Sequence, residues 1–369
     1  MSQPQIEIQL IAMVVAAACA LPGVFLVLRR VALMSDAISH AILLGIVLAF
    51  FATKSLNSPL LIVAAALTGV VTVALVELLE RTKLVREDAA IGLVFPLLFS
   101  LGVILISRYA SDVHLDTDAV LLGELAFAPF NRFELFGYDF GPQALVVMLA
   151  ILGLSVLFIG ALYKELKLST FDAGLAASLG FAPALLHYGL MSLVSITAVG
   201  AFDAVGSVLV VALMITPAAT AYLLTDRLPV MLGLSVLFGV ASALSGYWVA
   251  HALDISIAGT MATMTGVFFL LTLLFAPDRG LVAAALRRVR QRSEFAQAML
   301  AIHLLNHEGT PEADEERRVA HLQAHMRWQP KFAEQIVQQA QQRGLVRREA
   351  EHLALTDAGR TLAQQALVS

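Results

Sequence analysis

Nine stretches of about twenty residues, each nearly free of charge, run through this sequence: 8–28, 31–52, 58–80, 89–107, 141–163, 184–201, 204–224, 229–251 and 255–276. A helix rises 1.5 Å per residue, so each stretch is long enough to cross the ~30 Å hydrocarbon core of a bilayer. In that solvent a spanning segment must pair its own backbone N–H and C=O groups, which leaves the helix as its form. The prediction is therefore an all-α polytopic membrane protein with eight to nine transmembrane helices. Composition excludes the soluble alternative: 59% of the 369 residues are hydrophobic and 14% charged, where a soluble domain is nearer a quarter charged.

Charge divides the chain in two. Residues 1–283 carry 30 charged residues, and residues 284–369 carry 22. The second block is more than twice as dense, so 1–283 is predicted as the transmembrane domain and 284–369 as a water-facing one. The single cysteine, Cys19, lies in an apolar run, and one cysteine allows no internal disulfide. The first apolar run has no Lys or Arg before it, so it is read as a retained span rather than a cleaved leader.

Lys and Arg set the orientation, because they concentrate on cytoplasmic loops. With the N-terminus outside, the inner connections hold Arg29, Arg30, Arg81, Lys83, Arg86, Lys164, Lys167, Arg227 and Arg279, while the outer ones hold only Lys54, Arg108 and Arg132. The C-terminal domain is then cytoplasmic. The stretch 115–135, with Pro129, reads as an outward loop with short helices, and Asp112, His114, Asp116 and Asp118 lie in or beside it. Gly200, Asp203 and Gly206 leave 184–224 open between two full spans and a re-entrant pair.

Ionisable residues inside spans are costly, about 2.5–3.5 kcal/mol for a central Asp on insertion scales. Asp36 and His40 are four apart in the second span, so both lie on one helical face within the hydrocarbon. Carboxylate and imidazole in register suit a borderline divalent cation such as Mn²⁺, Fe²⁺ or Zn²⁺. A hydrogen bond between buried helices accounts for the same pair, and spacing alone leaves both readings open. Asp203, His187, His251, Glu77 and Glu124 are the further candidates. The segment 164–183 (KELKLSTFDAGLAASLGFAP) reads as a loop holding a short amphipathic helix capped near Ser169, Thr170 or Asp172, with small residues that permit close approach by another surface. Pro217 interrupts the hydrogen bonding of an apolar helix and precedes Ala218, Ala219 and Thr220, a small-residue packing pattern.

Four segments, LMSDAISHAILLGI (33–46), REDAAIGLVFPLLFSLGVIL (86–105), FDAGLAASLGF (171–181) and VGSVLVVALMITPAATA (205–221), together resemble the ABC-3 family of bacterial metal-ion permeases, over about residues 5–280. The resemblance implies a type II ABC importer-like fold in the bacterial cytoplasmic (inner) membrane. It implies transport of Mn²⁺, Fe²⁺ or Zn²⁺, with no cofactor held permanently. The implied partners are cytoplasmic ABC ATPase subunits that bind ATP, an extracytoplasmic metal-binding protein, and a second permease copy or paralogue. By motif match Asp36 and His40 are pathway ligands, and Phe171, Asp172, Ala176 and Gly180 belong to the ATPase-coupling loop. Gly206 and Pro217 serve gating or packing. Asp203 departs from the family's apolar or small pattern and is an added metal-ligand candidate. No Gly is followed by Lys, so no P-loop is present, and no H-E-x-x-H occurs. The chain is thus expected to be a transport subunit rather than an enzyme. A membrane-anchored metal-responsive transcription regulator and a secondary metal transporter working alone are the competing readings.

The C-terminal block opens with Arg287, Arg288, Arg290 and Arg292, a basic run suited to anionic lipid headgroups. Helices are predicted at 295–305, 312–326, 331–343 and 358–367, with a β-wing from Gly344 that returns through 352–355. That order is a winged helix-turn-helix, and GLVRREAEHLALTDAGRTLA (344–363) resembles the wing and following helix of iron- and manganese-dependent repressors. The resemblance moves the substrate expectation toward manganese first, then iron or zinc. Lys331, Gln335, Gln338 and Arg343 are the candidate DNA contacts, although the block is only +2 net and lacks a basic stripe. His303/His307 and His321/His325 are both i, i+4 pairs, which suits either a solvated helix face or a regulatory metal site.

Overall fold

The computed structural model describes residues 2–54, 59–109, 125–135, 138–311 and 313–368. Contacts divide the chain into two compact units, Met1–Gly280 and Leu281–Ser369. The division falls three residues before the shift in charge density. The reason is local: a new helix starts at Leu281, and its first turns are still apolar before the arginines begin.

The first unit is helical. Its spans are α1 (Gln3–Arg29), α2 (Leu33–Thr53), α3 (Pro59–Arg81), α4 (Glu87–Tyr109) and α5 (Gln143–Ala161). Two short helices follow, α6 (Tyr163–Phe171) and α7 (Ala173–Ser178), then α8 (Pro183–Leu224), α9 (Leu228–Leu253) and α10 (Ile257–Phe275). Among the described residues nine helical segments are long and apolar enough to cross a bilayer, because α8 contributes two, Pro183–Phe202 and Ala204–Leu224.

α8 turns at Gly206, whose backbone (φ 75°, ψ 167°) lies where only glycine sits without strain. The packing against α1 shows how far it turns. Arg29 reaches His187, and Gly23 sits against the Met214 carbonyl so closely that a Cβ would fall 1.8 Å from its oxygen. Residues 23 and 29 are about 9 Å apart along α1, whereas a straight helix would hold His187 and Met214 about 40 Å apart. The chain therefore doubles back, and 184–224 is a helical hairpin of two full-length arms rather than a shallow re-entrant loop.

α1 is the buried centre, packing against α5, α8 and α9. Val15, Ala16, Ala18, Cys19, Ala20, Val24, Phe25 and Leu26 are fully buried there. α5 shows Leu149, Leu154, Val156 and Leu157 at its surface, the composition expected of a lipid-facing side where tails are as apolar as leucine. Small residues allow the inner helices to touch backbone to backbone, as at Gly246, where a Cβ would come within 2.5 Å of the Met261 Cα.

The described part of the 115–135 loop holds one short 3₁₀ helix, Ala128–Phe130, and then an antiparallel ribbon that the sequence did not signal, β1 (Arg132–Leu135) with β2 (Tyr138–Pro142). Arg132 pins it, pairing with Asp139 at 2.6 Å and with Glu7 of α1 at 3.1 Å. Asp112, His114, Asp116, Asp118 and Glu124 lie outside the described residues.

The second unit holds α11 (Leu281–Asn306), α12 (Ala313–Glu316), α13 (Val319–His325), α14 (Pro330–Gln342), the hairpin β3 (Val346–Glu349)–β4 (His352–Leu355) and α15 (Asp357–Val368). Here too the sequence prediction is adjusted. The first helix takes in the whole arginine run, and the helix predicted over 312–326 is broken at Arg317–Arg318, where Arg318 forms a bridge to His352. α14 shows the amphipathic rhythm of a docked helix: Ala333, Ile336, Val337 and Ala340 are buried. They pack with Ala296, Leu300, Leu304, Val319, Leu322, Val346 and Leu353 into a core of the unit's own.

Candidate functional site

α2 begins right after a sharp turn in which Arg30 takes the left-handed conformation at φ 64°. Its first turns carry Ser35, Asp36, Ser39 and His40. Ser35 and Ser39 are buried, and each hydroxyl donates back to its own helix, to the carbonyls of Ala32 and Ser35. Satisfied in that way, they can face the packed interior. Asp36 and His40 fall on the adjoining, half-open face, with side chains 41% and 31% exposed. His40 Nε2 stands 3.4 Å from Asp36 Oδ1. The imidazole is flanked by Phe95 and Phe99 of α4 at ring distances of 5.9 and 6.0 Å, an apolar wall that limits water on that side.

The pair lies near the start of α2, in keeping with its place in the 31–52 stretch. At 1.5 Å per residue Asp36 stands about 5 Å, and His40 about 10 Å, from the start of α2. It is therefore close to one end of the helix, where the cost of an acid is lower than at the bilayer centre. Among the described residues, no third His, Cys, Asp or Glu completes a cluster with these two. A carboxylate oxygen and an imidazole nitrogen on a half-open face can bind a divalent ion weakly; two ligands from one chain do not enclose it.

The other candidates go elsewhere. His187 lies beside Arg29 (Nη1 to Nδ1, 3.4 Å). Glu77 accepts from the Tyr188 hydroxyl and from Arg81 at 2.9 Å. His251 stacks on Tyr247 at 6.1 Å, at the end of the unit that also carries Gln5 and Ile8. The Asp203 side chain is outside the described set. Gly206 makes the hairpin turn, and Pro217 is buried in the second arm of α8.

The loop after α5 is more structured than its sequence suggests. Asp172 caps α7, its Oδ1 accepting from Leu175 N at 2.8 Å. Ala176 is fully buried, and Gly180 ends the turn at φ 86°. Phe171, Leu175 and Leu179 are left open on the surface, 61%, 47% and 61% exposed. Arg29 ties this loop to the bundle, donating to Thr170 Oγ1 at 3.1 Å and to Ser169 Oγ at 3.0 Å. The sequence reading counted Arg29 only as a loop charge. Its bonds span 140 residues, and nothing local signals them.

In the second unit Lys331, Gln335 and Gln338 are exposed along α14. Arg343 is partly engaged, 3.3 Å from Gln297 Oε1 and 3.5 Å from Glu294.

Comparison with known proteins places this geometry. The zinc transport system membrane protein TroD of Treponema pallidum (strain Nichols) is 50% identical over 361 residues, 98% of each chain, so its likeness runs through both units. The manganese transport system membrane protein MntD of Bacillus subtilis (strain 168) is 48% identical over 282 residues, 76% of this chain and 95% of its own. Among solved structures, PsaBC from Streptococcus pneumoniae in complex with Fab superposes with a TM-score of 0.63 at 27% identity, covering 75% of this chain and 94% of that one. Residues 5–276 match the ABC 3 transport family, and the chain belongs to it.

Proposed function

We propose that the chain is the membrane-spanning permease of an ATP-driven importer of divalent transition-metal ions, manganese or zinc. The observation that carries the proposal is Asp36 and His40 on one half-open face of α2, in a chain of this family. Relatives named as manganese and zinc transport proteins support both metals; iron rests only on the resemblance of the C-terminal unit to iron- and manganese-dependent repressors.

Two ligands per chain suit a dimer. A second permease copy or paralogue facing the same ion would bring the ligand count to four, enough to hold a hydrated ion yet loose enough to release it. The open apolar residues Phe171, Leu175 and Leu179 beside a capped helix suit docking of a cytoplasmic ABC ATPase, and Arg29 carries motion of that loop into α1 and α8. ATP then binds to the partner, while the metal is delivered from the far side by an extracytoplasmic binding protein. The positive-inside distribution supports an N-terminus outside and a C-terminus in the cytoplasm of the bacterial inner membrane.

The C-terminal unit, residues 284–369 in the sequence reading, is proposed as a winged-helix domain. Its support is the order of four helical segments, a two-stranded wing and a last helix. Lys331, Gln335 and Gln338 are open, but protein contact or dimer control fits its weak charge better than DNA binding. Family membership argues against a tethered regulator and against a solitary carrier.

The test is uptake of radiolabelled manganese and zinc by proteoliposomes holding the chain with its ATPase and binding protein. ATP-dependent uptake is expected. Equal uptake by the purified chain alone would replace the proposal with a secondary transporter.

A further inference from the structure

The C-terminal unit gathers ligand-type side chains that neither the fold nor the transport reading uses. Glu316 ends the short helix α12 and is 93% buried, an unusual place for a carboxylate. Four histidines surround it. His303 Nε2 lies 3.2 Å from Glu316 Oε2, His321 Nε2 3.1 Å from Oε1, and His325 Nδ1 3.8 Å from Oε2. The His307 ring is 4.7 Å from that of His303. His303 lies on α11 and His307 one turn on, just past its end with its N–H on the His303 carbonyl, and His321 and His325 are one turn apart on α13, so two segments meet over one carboxylate.

The polar accounting does not close. Glu316 Oε2 and His321 Nε2 are buried without a hydrogen-bond partner, although other ligand atoms lie close by. His303 Nε2 hydrogen-bonds the Glu316 carbonyl oxygen at 3.2 Å, but Oε2 and His321 Nε2 lack hydrogen-bond geometry to the ligand atoms around them. A buried polar atom left unpaired costs about 1–3 kcal/mol, more for a charged group, and a cation beside these two satisfies both. The spacing fits one. Ligands held 2.0–2.1 Å from a tetrahedral ion are about 3.3 Å apart, against the 3.1–3.8 Å found here. Within each of two overlapping triplets, His303–His307–Glu316 and Glu316–His321–His325, the ligand atoms lie within 4.8 Å of one another. A cavity of about 830 Å³ that reaches His303, His307 and His325 gives a way in.

We propose that Glu316 with His303, His321 and His325 forms a second metal site, which takes one divalent ion of borderline softness, of the zinc, cobalt or iron class. Mostly imidazole with one carboxylate favours these over Mg²⁺ or Ca²⁺, which take oxygen shells. The ligands come from α11, α12 and α13, so the ion ties α11 to α12 and α13 across the breaks at Gly309–Pro311 and Arg317–Arg318. The site does not depend on what the membrane unit transports.

The test uses the full-length chain in detergent, metal-stripped and titrated with Co²⁺, whose visible bands report a tetrahedral nitrogen-rich shell. One Co²⁺ per chain is expected, displaced by Zn²⁺ and retained in the Asp36→Ala/His40→Ala chain. Glu316→Gln and His303→Ala should each weaken it more than tenfold, and His321→Ala/His325→Ala should do the same. Should a variant fold poorly, the wild-type chain still decides: added Zn²⁺ must slow proteolysis within residues 303–325. Absence of the bands in the wild-type chain, full binding by Glu316→Gln, or no protection by Zn²⁺ would overturn the proposal.

Discussion

In the membrane unit, Asp36 and His40 stand half-exposed beside two phenylalanines, with no third ligand close by among the described residues. In the C-terminal unit, Glu316 is buried beneath four histidines, and its own oxygen lacks a hydrogen-bond partner. The contrast teaches what each place can do with the same kind of ion. Few ligands on an open face give fast release, which transport requires. Many ligands around a buried acid give retention, which suits a structural or sensing role.

The sharpest way to break that contrast is to remove the membrane pair. Asp36→Ala or His40→Ala should reduce uptake to background while the complex still assembles, checked by uptake and by co-purification of the ATPase. Uptake at the normal rate by the double variant would dissolve the distinction. Next in size, Leu175→Asp with Leu179→Asp places charge on the open loop face and should lower ATPase co-purification at least tenfold, with Co²⁺ binding by the C-terminal unit unchanged.

A smaller effect tests whether the units are independent. Gly206→Val forces a branched residue into a backbone region reserved for glycine, at a cost of about 1–3 kcal/mol. The membrane unit should melt earlier in detergent while the C-terminal metal titration stays the same. Smallest is a pH effect on the β1–β2 ribbon. Hydrogen bonding from Arg132, then from the Gly141 amide, holds the Asp139 carboxyl below its usual range. A depressed folded pKa stabilises above the unfolded value, near 3.9, and that contribution fades as pH falls through the folded one. Amide protection factors in the ribbon, taken relative to the intrinsic exchange rate at each pH, should therefore be flat from neutral pH to about 4 and fall below it; a fall between pH 7 and 5 would remove Arg132–Asp139 as the pin.

Much of the architecture was legible because its signal is strong and local. Hydropathy placed all nine spans within a few residues, since a bilayer enforces both length and composition. The 132–142 ribbon was missed because its strands are short and held by an arginine that also reaches back to Glu7. In the site, the Asp36–His40 spacing and its place near the start of α2 could be read directly, but the two phenylalanines flanking His40 could not, because they come from another span. Glu316 was passed over because Asp314-Glu315-Glu316-Arg317-Arg318 looks like a solvated charge run, and only the break at Arg317–Arg318 turns it inward. The two histidine pairs were visible; their meeting over one acid required tertiary structure.

The turn at Gly206 has a mechanical corollary. Two membrane-crossing rods joined with almost no slack cannot slide lengthwise against each other. Whatever opens a path for an ion must swing the two arms of α8 together, as a single lever. In the proposed coupling, the push arrives near His187, at the foot of the first arm, where Arg29 already fastens it to the loop between α5 and α8.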